Sequence, residues 1–202
     1  MDLGNLMQTL VSSGALQQLS GQTGESPSAT QSAVAAILPT LMGAMARNAS
    51  TEGGVSSLMN ALDTNHDGSA MNDIAGLIGG AMSGTPAGNG AGILSHLLGG
   101  QTNAVAGMVA QQSGVSASSA ASMFQMLAPV VMSYVGQQKQ SQGLDAAGIV
   151  SALIGAGGQA QQGASASPIG GIMSMLDSNN NGSSIDEMMS IGGSLLSQFM
   201  KR

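Results

Sequence analysis

Apolar residues recur at helical spacing along this chain. The clearest run follows the pattern i, i+3, i+4, i+7, i+8 and i+11, which places one apolar stripe along a helix. It consists of Val34, Ile37, Leu38, Leu41, Met42 and Met45. A second run repeats the stripe with Phe124, Leu127, Val131 and Val135. Ser28 with Gln31 forms a capping-box pattern before the first run, and Ser116 or Ser118 can cap the second. The pattern predicts an all-α fold.

Each of these two helices contains a proline. Pro39 and Pro129 each remove one backbone hydrogen bond, and we expect each to bend its helix. The same bend in both places reflects either a required shape or inheritance from one ancestral unit, and the sequence leaves both explanations open.

The chain contains an internal repeat. Gln22–Gly24 matches Gln112–Gly114, and Ile37–Pro39 falls on Leu127–Pro129 at the same offset of ninety residues. Because one offset holds across gap-free segments of helix length, duplication explains the match more economically than coincidence. Beyond Val135 the offset rises to 114, so the second copy holds an insertion of 24 residues.

We therefore predict two tandem helical repeats, each with a bent, proline-containing helix and an EF-hand-like acidic loop between helices. The first covers residues 1–83, the second covers residues 93–202, and residues 84–92 form a Gly/Pro linker. A Gly/Gln/Ser-rich stretch around residues 155–167 is the loose part of the insertion. The other predicted helices are Leu3–Ser20, Val55–Leu62, Met71–Met82, Thr102–Gln112, Ala146–Ile154, Ile169–Leu176 and Ile185–Met200.

The composition excludes several classes of function. Of 202 residues only 7% are charged, with four Lys+Arg against ten Asp+Glu, so no basic patch is available for a nucleic-acid backbone. The absence of cysteine excludes disulfides, cysteine-ligated metals and a cysteine nucleophile. The 16 methionines indicate a somewhat plastic helical core. No signal peptide and no apolar run of spanning length is visible, so we expect a cytoplasmic protein.

Six of the ten acidic residues lie in two windows of eleven residues, each with the pattern Asp-x-Asn-x-Asp/Asn-Gly-Ser. Calcium prefers six to eight oxygen ligands, and oxygens at alternate positions converge when a glycine at position 6 turns the chain sharply. The candidate ligands in the first loop are Asp63, Asn65, Asp67, Ser69 and Asp73. Those in the second loop are Asp177, Asn179, Asn181, Ser183, Asp186 and Glu187.

These loops resemble those of EF-hand and dockerin-type repeats, but they depart from the pattern at its last ligand. The bidentate acid belongs at position 12, which holds Ile74 in the first loop and Met188 in the second. The nearest acids stand one position early, and an acid there reaches the ion only if the loop is tighter. We favour Ca²⁺ in the first loop over the second, which carries fewer charges. The alternative is that Asp, Asn and Gly serve only as turn and cap residues.

A wider resemblance rests on Gln112–Ser116, Gly92–His96, Lys139–Leu144, the leucine–proline helices and the acidic loops. Through these segments the chain resembles the YidB-like group of bacterial proteins of unknown function. It implies a small helical fold and no established activity.

The sequence gives no local support for a catalytic site, so we predict that the protein is not an enzyme, and we infer no small-molecule substrate. His66 occupies position 4 of the first loop, where we expect a solvated side chain, and His96 fits a helix surface or a half-buried position. We expect Tyr134 to be a core residue. The favoured function is a non-enzymatic, calcium-binding structural or interaction protein that self-associates as a homo-oligomer or larger assembly.

Two alternatives remain. The first is a helix-turn-helix nucleic-acid binder, which the charge disfavours because the chain has so few basic residues. The second is membrane association through Ala33–Ala46 and Met123–Gly136. We expect no membrane partner, because these stretches lack the flanking Lys and Arg of interfacial helices.

Overall fold

The computed structural model describes residues 2–51, 53–66, 68–81 and 89–162, with side chains up to residue 156. The chain divides into two units, residues 1–157 and 158–202, and all the packing below lies in the first. The helices are α1 Leu3–Ser12, α2 Ala15–Thr23, α3 Pro27–Ala49, α4 Gly54–Thr64, α5 Ile74–Ala81, α6 Gly90–Leu98, α7 Thr102–Ser113, α8 Ala117–Gln142 and α9 Ala146–Gln162. Short 3₁₀ turns, Ser69–Asp73 and Gly99–Gln101, precede α5 and α7. The described ranges hold no strand, which confirms the all-α fold.

The prediction of one helix over Leu3–Ser20 is wrong. Gly14 adopts φ 73°, a left-handed conformation that glycine accepts without strain, and it separates α1 from α2. The buried residues show why the break is needed, since Leu6 and Leu10 are four apart but Ala15 comes five residues later. In an unbroken helix Ala15 would lie on a different face from Leu6 and Leu10. The break at Gly14 instead places Ala15 in the core with them.

Two further boundaries differ from the prediction. α6 begins at Gly90, inside the predicted linker 84–92, and α5 is preceded by a 3₁₀ turn where one helix from Met71 was expected. The predicted helices Ile169–Leu176 and Ile185–Met200 lie outside the described residues. The prediction of a loose stretch around 155–167 is wrong as far as Gln162, because α9 continues through these residues, and 163–167 lie outside the described residues.

α8 is the central helix of the described unit. Its residues 126–136 are all buried, so apolar contacts surround it instead of following the single stripe that the sequence predicted. α3, α5, α6 and α7 pack against it. Helices from both halves of the sequence thus share one hydrophobic core. α3 and α8 continue without interruption through Pro39 and Pro129.

The turns before the two long helices are built alike. Gly24 and Gly114 end α2 and α7 with φ of 70° and 77°, and the side chains of Ser26 and Ser116 cap α3 and α8. The turns also contact each other, because the Ser116 backbone N–H donates to Glu25 Oε1 at 2.9 Å. This hydrogen bond, with help from the Ser119 side chain, lowers the pKa of Glu25.

Candidate functional site

The first acidic loop connects α4 to α5. α4 continues through Thr64, so Asp63 lies in its last turn, and the 3₁₀ turn Ser69–Asp73 leads into α5. Gly68, at position 6 of the loop, adopts φ 91°, which only glycine accepts readily. The sharp turn that the sequence predicted at this glycine is therefore present. Asp67 lies outside the described residues.

The loop packs against α8 at two glycines. A Cβ atom on Gly136 would overlap the His66 carbonyl oxygen, and one on Gly68 would lie 2.6 Å from Gln137 Cα. Both glycines are thus required for the close approach of two backbones. The contact fixes the loop on the surface of the central helix.

His66 is directed toward α8, and the expectation of a solvated side chain is wrong. Its side chain is only 4% exposed, and Nδ1 lies 3.5 Å from the Ser133 hydroxyl oxygen. The close approach at Gly136 places position 4 of the loop against α8. In an isolated calcium-binding loop the same position is expected to face solvent. His96 is exposed on α6, in keeping with the expected helix surface.

Asp63 forms an ion pair with Lys139 of α8. The Lys139 Nζ atom donates to Asp63 Oδ1, with the lysine side chain 15% exposed and the aspartate side chain 60% exposed. The lysine stem is therefore packed on the protein surface, and its ammonium reaches the first candidate ligand of the loop.

The remaining first-loop candidates divide between solvent and helix capping. Asn65 and Ser69 are exposed. Asp73 Oδ1 accepts from the Gly76 backbone N–H at 2.8 Å, so it caps the start of α5. Ile74, at position 12, is 4% exposed and belongs to the core. The position that would hold a bidentate acid in an EF-hand thus serves packing.

All six candidates of the second loop lie outside the described residues: Asp177, Asn179, Asn181, Ser183, Asp186 and Glu187. Within the described ranges, no group of three or more His, Asp or Glu is placed to hold a metal. The structure brings Asp63 to Lys139 and Asp73 to the start of α5. Calcium binding by either loop stays a prediction.

An open groove lies beside the loop. It has a volume of about 440 Å³ and is lined by Gly68, Ser69, Gln137, Gln140 and Ser141. The side chains that line it are amides and hydroxyls, and they come from the loop and from the last turns of α8.

Every acidic side chain that the structure describes has a partner within the chain. Asp2, Asp73 and Asp145 cap α1, α5 and α9, Glu25 binds the first residues of α8, and Asp63 pairs with Lys139. Sequence reasoning missed Glu25 and Lys139, because both contacts join residues far apart in the chain. The available signal was that Lys139 is one of only two lysines in the chain.

Two other features bear on the alternatives. α3 is long enough and apolar enough to span a membrane, and 56% of its apolar window is buried in the protein. Tyr134 is 3% exposed, which confirms it as a core residue, and its hydroxyl donates to the Asp2 carbonyl oxygen at 3.0 Å. Burial raises the pKa of Tyr134.

These observations define an all-helical protein with an acidic loop seated on its central helix. Residues 5–138 match a family described as bacterial protein of unknown function (DUF937), which covers more than half of the chain. The protein belongs to this family, and the expectation of a bacterial family of unknown function is confirmed. No curated protein and no solved structure matches the chain.

Proposed function

We propose that this protein is a non-catalytic structural or interaction protein that binds Ca²⁺ through its first acidic loop and associates with copies of itself. Within its family we place it in the YidB-like group, on the residues that carry that resemblance. The observation that supports calcium binding is the division of the loop between two sides. Asp63, Asn65 and Ser69 are exposed, whereas His66 and Gly68 are buried against α8.

This division suits an ion on the solvent side of the loop. Positions 1, 3 and 7 supply a carboxylate, an amide and a backbone carbonyl in calcium-binding loops of this pattern. With position 4 buried against α8 and position 6 turning at φ 91°, Asp63, Asn65 and Ser69 lie on the exposed side of the loop. The ion would then stabilise the junction of α4, α5 and α8 by binding the folded state only.

Calorimetry and thermal unfolding with Ca²⁺ or a chelator test the proposal. At calcium a hundredfold above its Kd we expect stabilisation of about 2.7 kcal/mol, a rise in Tm of about 5–10 °C. Asp63→Asn should abolish most of this rise. Asp145→Asn is the matched control, since Asp145 is also an exposed aspartate but lies outside the loop, where it caps α9. No binding heat and an unchanged Tm would remove calcium from the proposal.

Self-association is supported by the sparse charge of the surface and by apolar side chains that the fold leaves exposed. Among the described residues these are Val11, Met108 and Ile154, which are 53%, 49% and 56% exposed. Burying one such side chain in a contact between copies gains about 1.5–3 kcal/mol. Analytical ultracentrifugation should show an oligomer that Met108→Gln or Ile154→Gln weakens. A monomer at all concentrations contradicts this part.

The nucleic-acid and membrane alternatives receive less support. A recognition helix needs a free face, but α8 is enclosed over residues 126–136, and its Lys139 is paired with Asp63. α3 is the one described helix that passes the length and composition test for a membrane span. More than half of its apolar window is buried inside the protein. A gel shift at low salt or flotation with liposomes would restore one of them.

A further inference from the structure

We propose that Lys139 is an intramolecular competitor for the cation of the first acidic loop. Its ammonium holds the Asp63 carboxylate, and calcium reaches that carboxylate only by displacing it. This inference rests on the calcium binding proposed above and adds the residue that sets its threshold.

The placement of Lys139 follows from the contact between the loop and α8. Gly136 lies against the His66 carbonyl, and Lys139 stands three residues later, on the same face of the helix. Its side chain is 15% exposed, so the stem is packed and the ammonium is directed to Asp63. Lys139 is therefore held at the loop by the same contact that holds the loop.

The charges make this a competition. Asp63 stands at position 1 of the calcium-binding pattern, so its carboxylate is a ligand that an incoming Ca²⁺ needs. A carboxylate oxygen that accepts from an ammonium is partly neutralised, and the ammonium repels a divalent ion beside it. Because an exposed ion pair is weak, calcium can displace the lysine at a modest loss of affinity. Removing the positive charge should tighten calcium binding about three- to tenfold.

Displacement changes the protein surface. Gln137, Gln140 and Ser141 line the groove beside the loop, and Lys139 belongs to the same stretch of α8. Calcium uptake would free an ammonium beside this neutral groove while it neutralises the carboxylate. The loop would thereby exchange an internal ion pair for a bound ion and one free positive charge.

Amine labelling tests the displacement directly. The chain has two lysines, so Lys201 serves as the internal reference in each sample. We expect the labelling rate of Lys139 relative to Lys201 to rise severalfold with Ca²⁺. Asp63→Asn should raise it without calcium. If Asp63→Asn leaves the relative rate unchanged, the ion pair does not protect the lysine and the inference is overturned.

Calcium titration of three proteins separates this inference from the proposed function. Lys139→Gln should bind Ca²⁺ about three- to tenfold more tightly than the original chain, and Lys139→Arg, which keeps the charge, should stay close to it. Equal affinities of all three would overturn the inference and leave the proposed function standing. No binding by any of them would overturn both. Circular dichroism checks that each variant retains its helices.

Discussion

The replacement of Gly136 by alanine tests the close contact between the loop and α8. An added Cβ atom would overlap the His66 carbonyl oxygen and lie 2.9 Å from its carbon, where two carbon atoms normally keep about 3.5–4.0 Å. The loop must therefore move by about 1.5 Å to clear the carbonyl oxygen, although it is anchored at Gly68 as well. Overpacking of this kind costs about 1–3 kcal/mol.

The opposing effect is helix propensity, and a second glycine isolates it. Alanine favours a helix by about 1 kcal/mol over glycine, so Gly136→Ala should lower stability by up to about 2 kcal/mol. Gly43 lies inside α3 and a Cβ there meets nothing within 4 Å, so Gly43→Ala should raise stability by about 1 kcal/mol. The two variants should thus differ by about 1–3 kcal/mol, or about 2–12 °C in Tm.

Thermal unfolding followed by circular dichroism at the helix band measures both variants. If the Tm of Gly136→Ala equals or exceeds that of Gly43→Ala, the loop and α8 do not make the close contact described. The paired comparison cancels the unfolded-state entropy that any Gly→Ala change removes.

Two further predictions concern contacts that join the halves of the chain. The pKa of Glu25 is lowered in the folded protein by its hydrogen bond from Ser116, so it adds stability above its unfolded pKa that is lost as the pH falls through the folded pKa. Between about pH 6 and pH 3 the Tm of the original chain should therefore fall further than the Tm of Glu25→Gln. Equal changes of Tm with pH in the two proteins would refute this. Tyr134→Phe removes the hydrogen bond to the Asp2 carbonyl and should cost about 1 kcal/mol in urea unfolding, whereas an unchanged midpoint would show that the bond contributes nothing.

The helices could be predicted from the sequence, since they follow from periodicity and caps. The break at Gly14 was also readable, because the spacing from Leu10 to Ala15 does not fit one stripe. It was missed because glycine inside an apolar run is sometimes tolerated in helices.

The candidate site was harder to predict from the sequence, because its contacts depend on how helices that are far apart in the sequence pack together. The turn at Gly68 was predictable, because its conformation is local. The burial of His66 and the Lys139 ion pair were not, as each needs α8 beside the loop. One clue lies in the repeat predicted from the sequence, in which Gly136 aligns with Ala46. A glycine that breaks the match points to a contact special to the second copy.

The enclosure of α8 has a consequence for synthesis on the ribosome. The core residues of α2 to α5 gain their central partner only when α8 has been made, about sixty residues after α5 ends. At about 5–20 residues per second this takes roughly 3–12 s. During that time the apolar side chains of the first half are exposed to chaperones and to neighbouring nascent chains, so synonymous changes that slow translation of this stretch should increase aggregation.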